Sequence, residues 1–282
     1  MTAELATAYK SGSQKAGNVT EAWGADNFYC PNCSSPKLDW LKPGTKANDY
    51  RCPSCKFWFQ LKSQKTRIAN SITDGAYKAM MDAIREDRSP NFYILHYDLA
   101  TWTVRNLLLI PHFAFPPSAI IKRKPLSATA RRAGWVGCNF DLTRIPVEAR
   151  IAIVANSEVA SETVVREKFR RVKPLKDVSI KDRGWTLDVL NIVHRVVNTR
   201  ALECGDTSPL SDWQTCLPVP KRGHVRALQR EFTNADIYAF ERELERLHPG
   251  NRHIKDKIRQ QLQVLRDRNL LLHVGRNCWR LP

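Results

Sequence analysis

Three polar side chains in the first quarter of the chain have the types and spacing for phosphodiester chemistry. Asp49 lies 11 residues before Gln60, and Lys62 follows one residue beyond it. Side chains alternate across a strand, so Phe57-Trp58-Phe59-Gln60-Leu61-Lys62 carries Trp58, Gln60 and Lys62 on one face and Phe57, Phe59 and Leu61 on the other. With a carboxylate alongside, such a face offers oxygen ligands to a hard divalent ion and an ammonium to orient attacking water. On spacing alone, a surface strand with a polar face accounts for the same residues and is the commoner case.

A second constellation flanks the first. Cys30-Pro-Asn-Cys33 and Cys52-Pro-Ser-Cys55 are two CxxC knuckles with 18 residues between them. Each knuckle turns tightly enough to set both sulfurs on one ion, and the hairpin between brings the pairs together. That is the pattern of a tetrahedral, structural zinc site. Cys138, Cys204, Cys216 and Cys278 are isolated and read as small buried hydrophobes. The start, Met1-Thr2-Ala3-Glu4, lacks the basic-then-apolar pattern of a secretory signal. A reducing cytoplasmic location is therefore expected, with thiols in place of disulfides.

Charge points to the partner. Lys and Arg number 45 against 28 Asp and Glu, a formal net charge of +17. A surplus of this size favours a polyanion, because each cation set against a phosphate releases a condensed counterion. From Leu99 to Phe140 no acidic residue occurs, while Arg105, Lys122, Arg123, Lys124, Arg131 and Arg132 do. From Lys221 to the end, 14 basic residues face 7 acidic ones. Two separate basic regions in one chain argue for nucleic acid.

Within the first region, Arg131-Arg132-Ala133-Gly134-Trp135 sets two guanidinium forks beside an indole. Arg bonds guanine or phosphate bidentately, and Trp offers a flat wall to a methyl group; Trp as a core plug is the equal alternative. In the second region a helix over Arg252–Arg268 has an apolar stripe of Ile254, Ile258, Leu262 and Leu265. Arg252, Asp256, Arg259, Gln260 and Gln263 fall opposite, with Lys255 and Arg266 on a flank, as a major-groove recognition helix requires. Gln261 falls on the apolar side, where periodicity gives it no role.

These residues need elements to hold them. A chain of 282 residues, 43% hydrophobic and 26% charged, forms globular domains and excludes wholesale disorder. Its longest aliphatic run, Leu107–Ile110, is far too short to span a bilayer. Periodicity predicts a helix and loop over 1–29, the zinc hairpin at 30–55, and the strand through Lys62. Asp74 then reads as the cap of a helix ending near Arg85. Strands follow at Asn91–Tyr97, Val104–Ile110 and near Arg150–Ala155, with a Pro-, Lys- and Arg-rich loop at 111–134. Strands mixed with helices make an α/β domain over 1–183. Beyond it come helices Trp185–Val197, Ala235–Leu247 and Arg252–Arg268, then a hairpin around Gly275-Arg276-Asn277. That is the order of a winged helix over 184–282, with a long loop at 198–225.

Several runs resemble one family in combination. They are Tyr9-Lys10-Ser11 with Gln14-Lys15-Ala16, the two CxxC pairs, Asp49-Tyr50-Arg51-Cys52 and Phe59-Gln60-Leu61-Lys62-Ser63. Asp74-Gly75-Ala76-Tyr77, Thr129 to Trp135, Arg183-Gly184-Trp185-Thr186 and His253 to Leu262 join them. Together they are similar to the DpnI-type methyl-directed restriction endonucleases, over nearly the whole chain except 198–225. The resemblance implies an α/β PD-(D/E)xK nuclease core with an inserted four-cysteine zinc site, followed by a C-terminal winged-helix domain. It implies a type II site-specific deoxyribonuclease that uses Mg2+ and Zn2+ and cuts duplex DNA bearing 6-methyladenine in GATC. By position, Asp49 would be the first magnesium ligand, Lys62 the motif lysine, and Gln60 the occupant of the family's glutamate position. Double-stranded methylated DNA is the expected partner of a monomer that does not engage membranes.

Gln60 keeps a rival open. An amide oxygen is neutral and a weaker magnesium ligand than a carboxylate. The alternative is a non-cleaving methyl-DNA-binding protein with a degenerate nuclease site; a zinc-ribbon transcription factor without methyl preference is a third reading. Asp49 together with Lys62 favours the nuclease.

Overall fold

A computed structural model describes residues 1–7, 11–41, 48–203 and 231–282. Helix α1 (Gly12–Asn27) precedes strands β1 (Asp39–Trp40), β2 (Tyr50–Arg51), β3 (Trp58–Gln64) and β4 (Ser71–Ala76). Next come α2 (Tyr77–Arg85), β5 (Asn91–Asp98), β6 (Thr103–Ile110), β7 (Ile120–Lys122) and β8 (Gly137–Asp141). Strands β9 (Ile151–Ala155) and β10 (Glu158–Val159) lead to α3 (Glu162–Val172) and α4 (Ile180–Glu203). The C-terminal part holds β11 (Glu231–Thr233), α5 (Asn234–Tyr238), α6 (Glu241–Leu247), α7 (Ile254–Asp267), β12 (Leu272–Gly275) and β13 (Cys278–Arg280). Residues 198–203 of the expected loop instead continue helix α4, which starts at Ile180 and runs past Val197 to Glu203; Tyr9, Lys10 and the remaining 204–225, with Cys204 and Cys216, lie outside the described residues.

The apolar strands form the middle of a seven-stranded mixed sheet ordered β1-β2-β3-β5-β6-β9-β10. Only β3 and β5 pair in parallel, with Gln60 opposite Phe92 and Lys62 opposite Ile94. Phe92, Tyr93, Ile94 and Leu95 in β5 and Leu107 to Ile110 in β6 are all buried, as strands covered on both faces must be. Tyr93 stacks on Phe59 at 5.4 Å and on Phe28 at 4.1 Å, which locks the end of α1 to β3 and β5.

A second sheet, β4-β8-β7, corrects two expectations. The basic stretch at 111–134 is not all loop, because Ile120–Lys122 forms β7 against β8. Phe140 of β8 packs on Phe92 and Phe115, at 4.9 Å from each, seating this sheet on the larger one. Nor does Asp74 cap a helix. It lies in β4, and α2 begins after Ala76, which makes no side-chain cap bond.

In the C-terminal part a three-stranded sheet, β11-β13-β12, adds a strand to the expected hairpin. The helix expected over Ala235–Leu247 is two, α5 and α6, broken at Phe240 (φ −98°, ψ 13°). Gln261, unexplained by periodicity, is wholly buried, and its Oε1 accepts the Thr186 hydroxyl at 2.5 Å. The amide thus joins α7 to α4, and Lys257 Nζ reinforces the junction with an ion pair to Asp182 at 2.6 Å. Among the described residues no helix is long and apolar enough to cross a membrane.

Candidate active site and nucleic-acid interface

The knuckles close on one point. Cys30 and Cys55 Sγ stand 3.5 Å apart, as do Cys33 and Cys52 Sγ, and all four lie within 4.8 Å of one another. Four sulfurs around one zinc at about 2.3 Å would stand about 3.8 Å apart, so the cluster fits that ion. The second knuckle turns because Lys56 adopts a left-handed φ of 64° and its amide returns to the Cys52 carbonyl at 3.1 Å. From α3, Arg166 Nε donates to the carbonyls of Cys30 and Cys33 at 3.2 and 3.1 Å. Burial pushes the Cys30 thiol up. Burial also acts to raise Cys52, but the amides of Cys55 and Ser54 together with the Cys33 and Cys55 thiols outweigh it and lower that thiol to about 7. Of the isolated cysteines, Cys138 is buried as expected, whereas Cys278 is only half-buried.

Directly after the knuckles, β2 and β3 bring the polar residues together. The Asp49 amide donates to the Phe59 carbonyl at 2.9 Å, and Asp49 Oδ2 accepts the Leu61 amide at 2.7 Å. Burial raises the pKa of this carboxyl, opposed by the Leu61 amide and the Lys62 charge. Gln60 is half-buried on the strand face that also carries Lys62. Lys62 Nζ meets Asp74 Oδ1 at 2.5 Å, the two side chains being 20% and 8% exposed. The other Asp74 oxygen accepts the Cys138 thiol at 3.6 Å.

Helix α1 supplies a further acid. Its Gly24 sits where a Cβ would collide with the Tyr50 hydroxyl and the Phe28 ring, so α1 approaches β2 closely. The Tyr50 hydroxyl donates to the Glu21 carbonyl at 2.7 Å, and Thr20 Oγ1 donates to Ser63 Oγ at 3.1 Å. Burial raises the Glu21 carboxyl, and the nearby Asp49 charge raises it further. Sequence reasoning missed both Glu21 and Asp74 as neighbours of the motif. Asp74 carried a signal, the Asp-Gly-Ala-Tyr run; Glu21 carried none that its helix pattern set apart.

Arg132 lies over the Trp135 ring at 4.9 Å, and Arg131 is exposed beside it. The turn closes through the Leu126 amide on the Trp135 carbonyl at 2.9 Å and the Gly134 amide on the Leu126 carbonyl at 3.0 Å. Gly134 has φ +74°, which favours glycine there. Trp135 is half-buried and lies on Gly137, where any Cβ would meet the indole at 2.8 Å. In α7, which starts at Ile254 and so leaves Arg252 before the helix, the stripe Ile254, Ile258, Leu262 and Leu265 is buried; Lys255, Asp256, Arg259, Gln260 and Gln263 are exposed, as is Arg252. Asp256 pairs with Arg259, and Lys255 Nζ reaches Glu241 at 3.4 Å.

The sequence model of the DpnI, or Dam-replacing, family matches residues 1–178, and that of the Dam-replacing HTH domain matches residues 224–280. The chain belongs to the Dam-replacing family. That family is one of restriction endonucleases, and membership implies methylation-dependent restriction. The HTH match points to DNA as the partner. The first Dam-replacing match takes in the cysteine cluster, Asp49 to Lys62, Asp74 and the Trp135 turn; the second takes in α7 and the three-stranded sheet.

Proposed function

We propose that this member of the family is a type II endonuclease of the PD-(D/E)xK kind, hydrolysing phosphodiester bonds in duplex DNA that carries 6-methyladenine in GATC. Asp49, Gln60 and Lys62 are its catalytic residues, in a nuclease domain over 1–183. Arg131, Arg132 and Trp135, with Arg252, Lys255, Asp256, Arg259, Gln260 and Gln263 of a winged-helix domain over 184–282, contact DNA. The enzyme acts as a cytoplasmic monomer.

The observation that carries this reading is that Asp49, bonded to the Leu61 amide of β3, lies where the Lys62 charge acts on it and its own charge raises Glu21. Half-buried carboxyls, the charge of one raising the other, suit a divalent cation when an ammonium stands near. Asp49 and the Gln60 amide oxygen would hold magnesium, which when bound neutralises charge at the scissile phosphate. Lys62 orients the attacking water. One feature favours the non-cleaving methyl-DNA reader instead: residue 60 contributes no charge. Plasmids from methylating and non-methylating hosts, incubated with the protein and magnesium or manganese, decide between them. Cutting of methylated plasmid alone is expected; binding without cutting under every metal condition assigns the reader.

A further inference from the structure

We infer that Asp74 is a positioning residue for Lys62, presetting the ammonium for the attacking water. The inference rests on the nuclease reading above and extends it to a residue outside the Asp49-Gln60-Lys62 motif.

Geometry singles Asp74 out. Strand β4 pairs with β8 through Ser71–Thr73 and again at Ala76, and its register shifts between Thr73 and Ala76. Asp74 and Gly75 fall in that irregularity. Bulges of this kind re-aim side chains beside active sites. Here the re-aimed carboxylate reaches across to the larger sheet, where Oδ1 takes the Lys62 ammonium at 2.5 Å.

Both carboxylate oxygens are occupied, each by a different kind of donor. Oδ2 lies 3.6 Å from the Cys138 thiol, whose one proton it shares with the Gly75 carbonyl at 3.5 Å. Burial, with the charge of Asp74 acting in the same direction, raises that thiol to about 12, so it remains a neutral donor and leaves the lysine as the carboxylate's cation. Lys62 needs such an anchor. Its Nζ lies 5.9 Å from the centre of the Phe92 ring, and a four-carbon stem gives the ammonium no fixed place of its own. Fold stability is a poor reason for the pair, since burying two charges costs about as much as their attraction returns. Holding one atom in one place is the better reason; groups that orient metal ligands from behind carry about 10–100-fold of affinity or activity, and an effect of that order is expected for a group that orients the lysine.

The test uses full-length, zinc-loaded protein on methylated duplex, comparing wild type with Asp74→Asn and Asp74→Glu. Asp74→Asn should lower kcat about 10–100-fold. Its KM, methylated-DNA affinity, zinc content and unfolding temperature should stay near wild type, and Asp74→Glu should regain most of the rate. The magnesium concentration for half-maximal cutting should not move, because Asp74 acts on the lysine and not on the metal. Unchanged kcat in Asp74→Asn overturns the inference and leaves the nuclease reading standing. So does a defect that saturating magnesium repairs, which would make Asp74 a metal ligand. A rate loss matched by equal losses of DNA affinity and unfolding temperature, without rescue by glutamate, also overturns it. If wild type cuts no methylated DNA, the nuclease reading itself fails and Asp74 has no lysine function to support.

Discussion

Gln60 is the residue at which this chain departs from the pattern it resembles, and it makes the sharpest prediction. Gln60→Glu adds a full negative charge at the position proposed to hold the ion, so half-maximal cutting should need several-fold less magnesium. A magnesium titration of cleavage for both forms measures this, and equal requirements would mean that residue 60 is not a ligand. Lys62→Ala should abolish cutting while methylated-DNA binding persists, since the residues proposed to read DNA lie elsewhere; a gel-shift assay beside a cleavage assay checks both halves. Asp49, Gln60 and Lys62 were legible because two of them alternate on one strand and the third flanks it. Glu21 was not, and Asp74 was marked only by its Asp-Gly-Ala-Tyr run, because their approach to the motif depends on how α1 and β4 pack, which no local spacing encodes. Gln261 was visible only as a misfit; its partner, Thr186, lies 75 residues away.

Among the elements, β2 and β3 tie the metal cluster to the motif, since Cys52 and Asp49 flank the same two-residue strand. Cys52→Ser should therefore release zinc, lower the unfolding temperature and expose the Asp49 region together, read by elemental analysis and amide exchange. Retained zinc with an undisturbed Asp49 region would separate the two features. The segment after β6 holds a pH-sensitive contact. His112 shares a hydrogen bond with Asn91 Oδ1 at 3.2 Å and sets its ring edge-on to Phe57 at 5.3 Å. Burial lowers its pKa from 6.5 to about 4; Lys176 and Arg183 act the same way and Asp87 opposes them. The unfolded chain thus takes up a proton below pH 6.5 that the native state refuses. Stability present above pH 6.5 should fall toward pH 4, by up to about 3 kcal/mol. Unfolding temperatures between pH 7 and pH 4.5 should drop more for wild type than for His112→Gln. The strongly apolar strands β5 and β6 were legible from sequence, whereas β4, β7 and β8 were not. Strand β7 is three residues inside a Pro- and Lys-rich stretch, and the Asp-Gly in β4 imitates a helix start. Likewise, uninterrupted polar-apolar periodicity hid the break at Phe240 between α5 and α6.

For the whole molecule, a net charge of +17 and two separate basic regions of sequence lead to an expectation of divided labour. General affinity should come from the cations and fall steeply with salt, by a logarithmic slope of about 0.9 per phosphate neutralised. Methyl preference should come from a few side chains. Trp135→Ala is expected to narrow the affinity ratio between methylated and unmethylated duplex at matched salt, leaving the salt slope and zinc content unchanged. A ratio that stays the same would remove Trp135 from methyl recognition.

The reach of Arg166 back to the first knuckle has a consequence in time. Its contacts with the Cys30 and Cys33 carbonyls span 136 and 133 residues of chain. At about 5–20 residues per second, the ribosome delivers that arginine roughly 7–27 s after the cysteines it secures. The nascent knuckle therefore spends that interval without its clip, and the thiols stay open to exchange until α3 docks. If the four thiols hold zinc, loading during synthesis is expected to be more sensitive to a shortage of zinc, or to an excess of a competing soft ion, than the folded protein is.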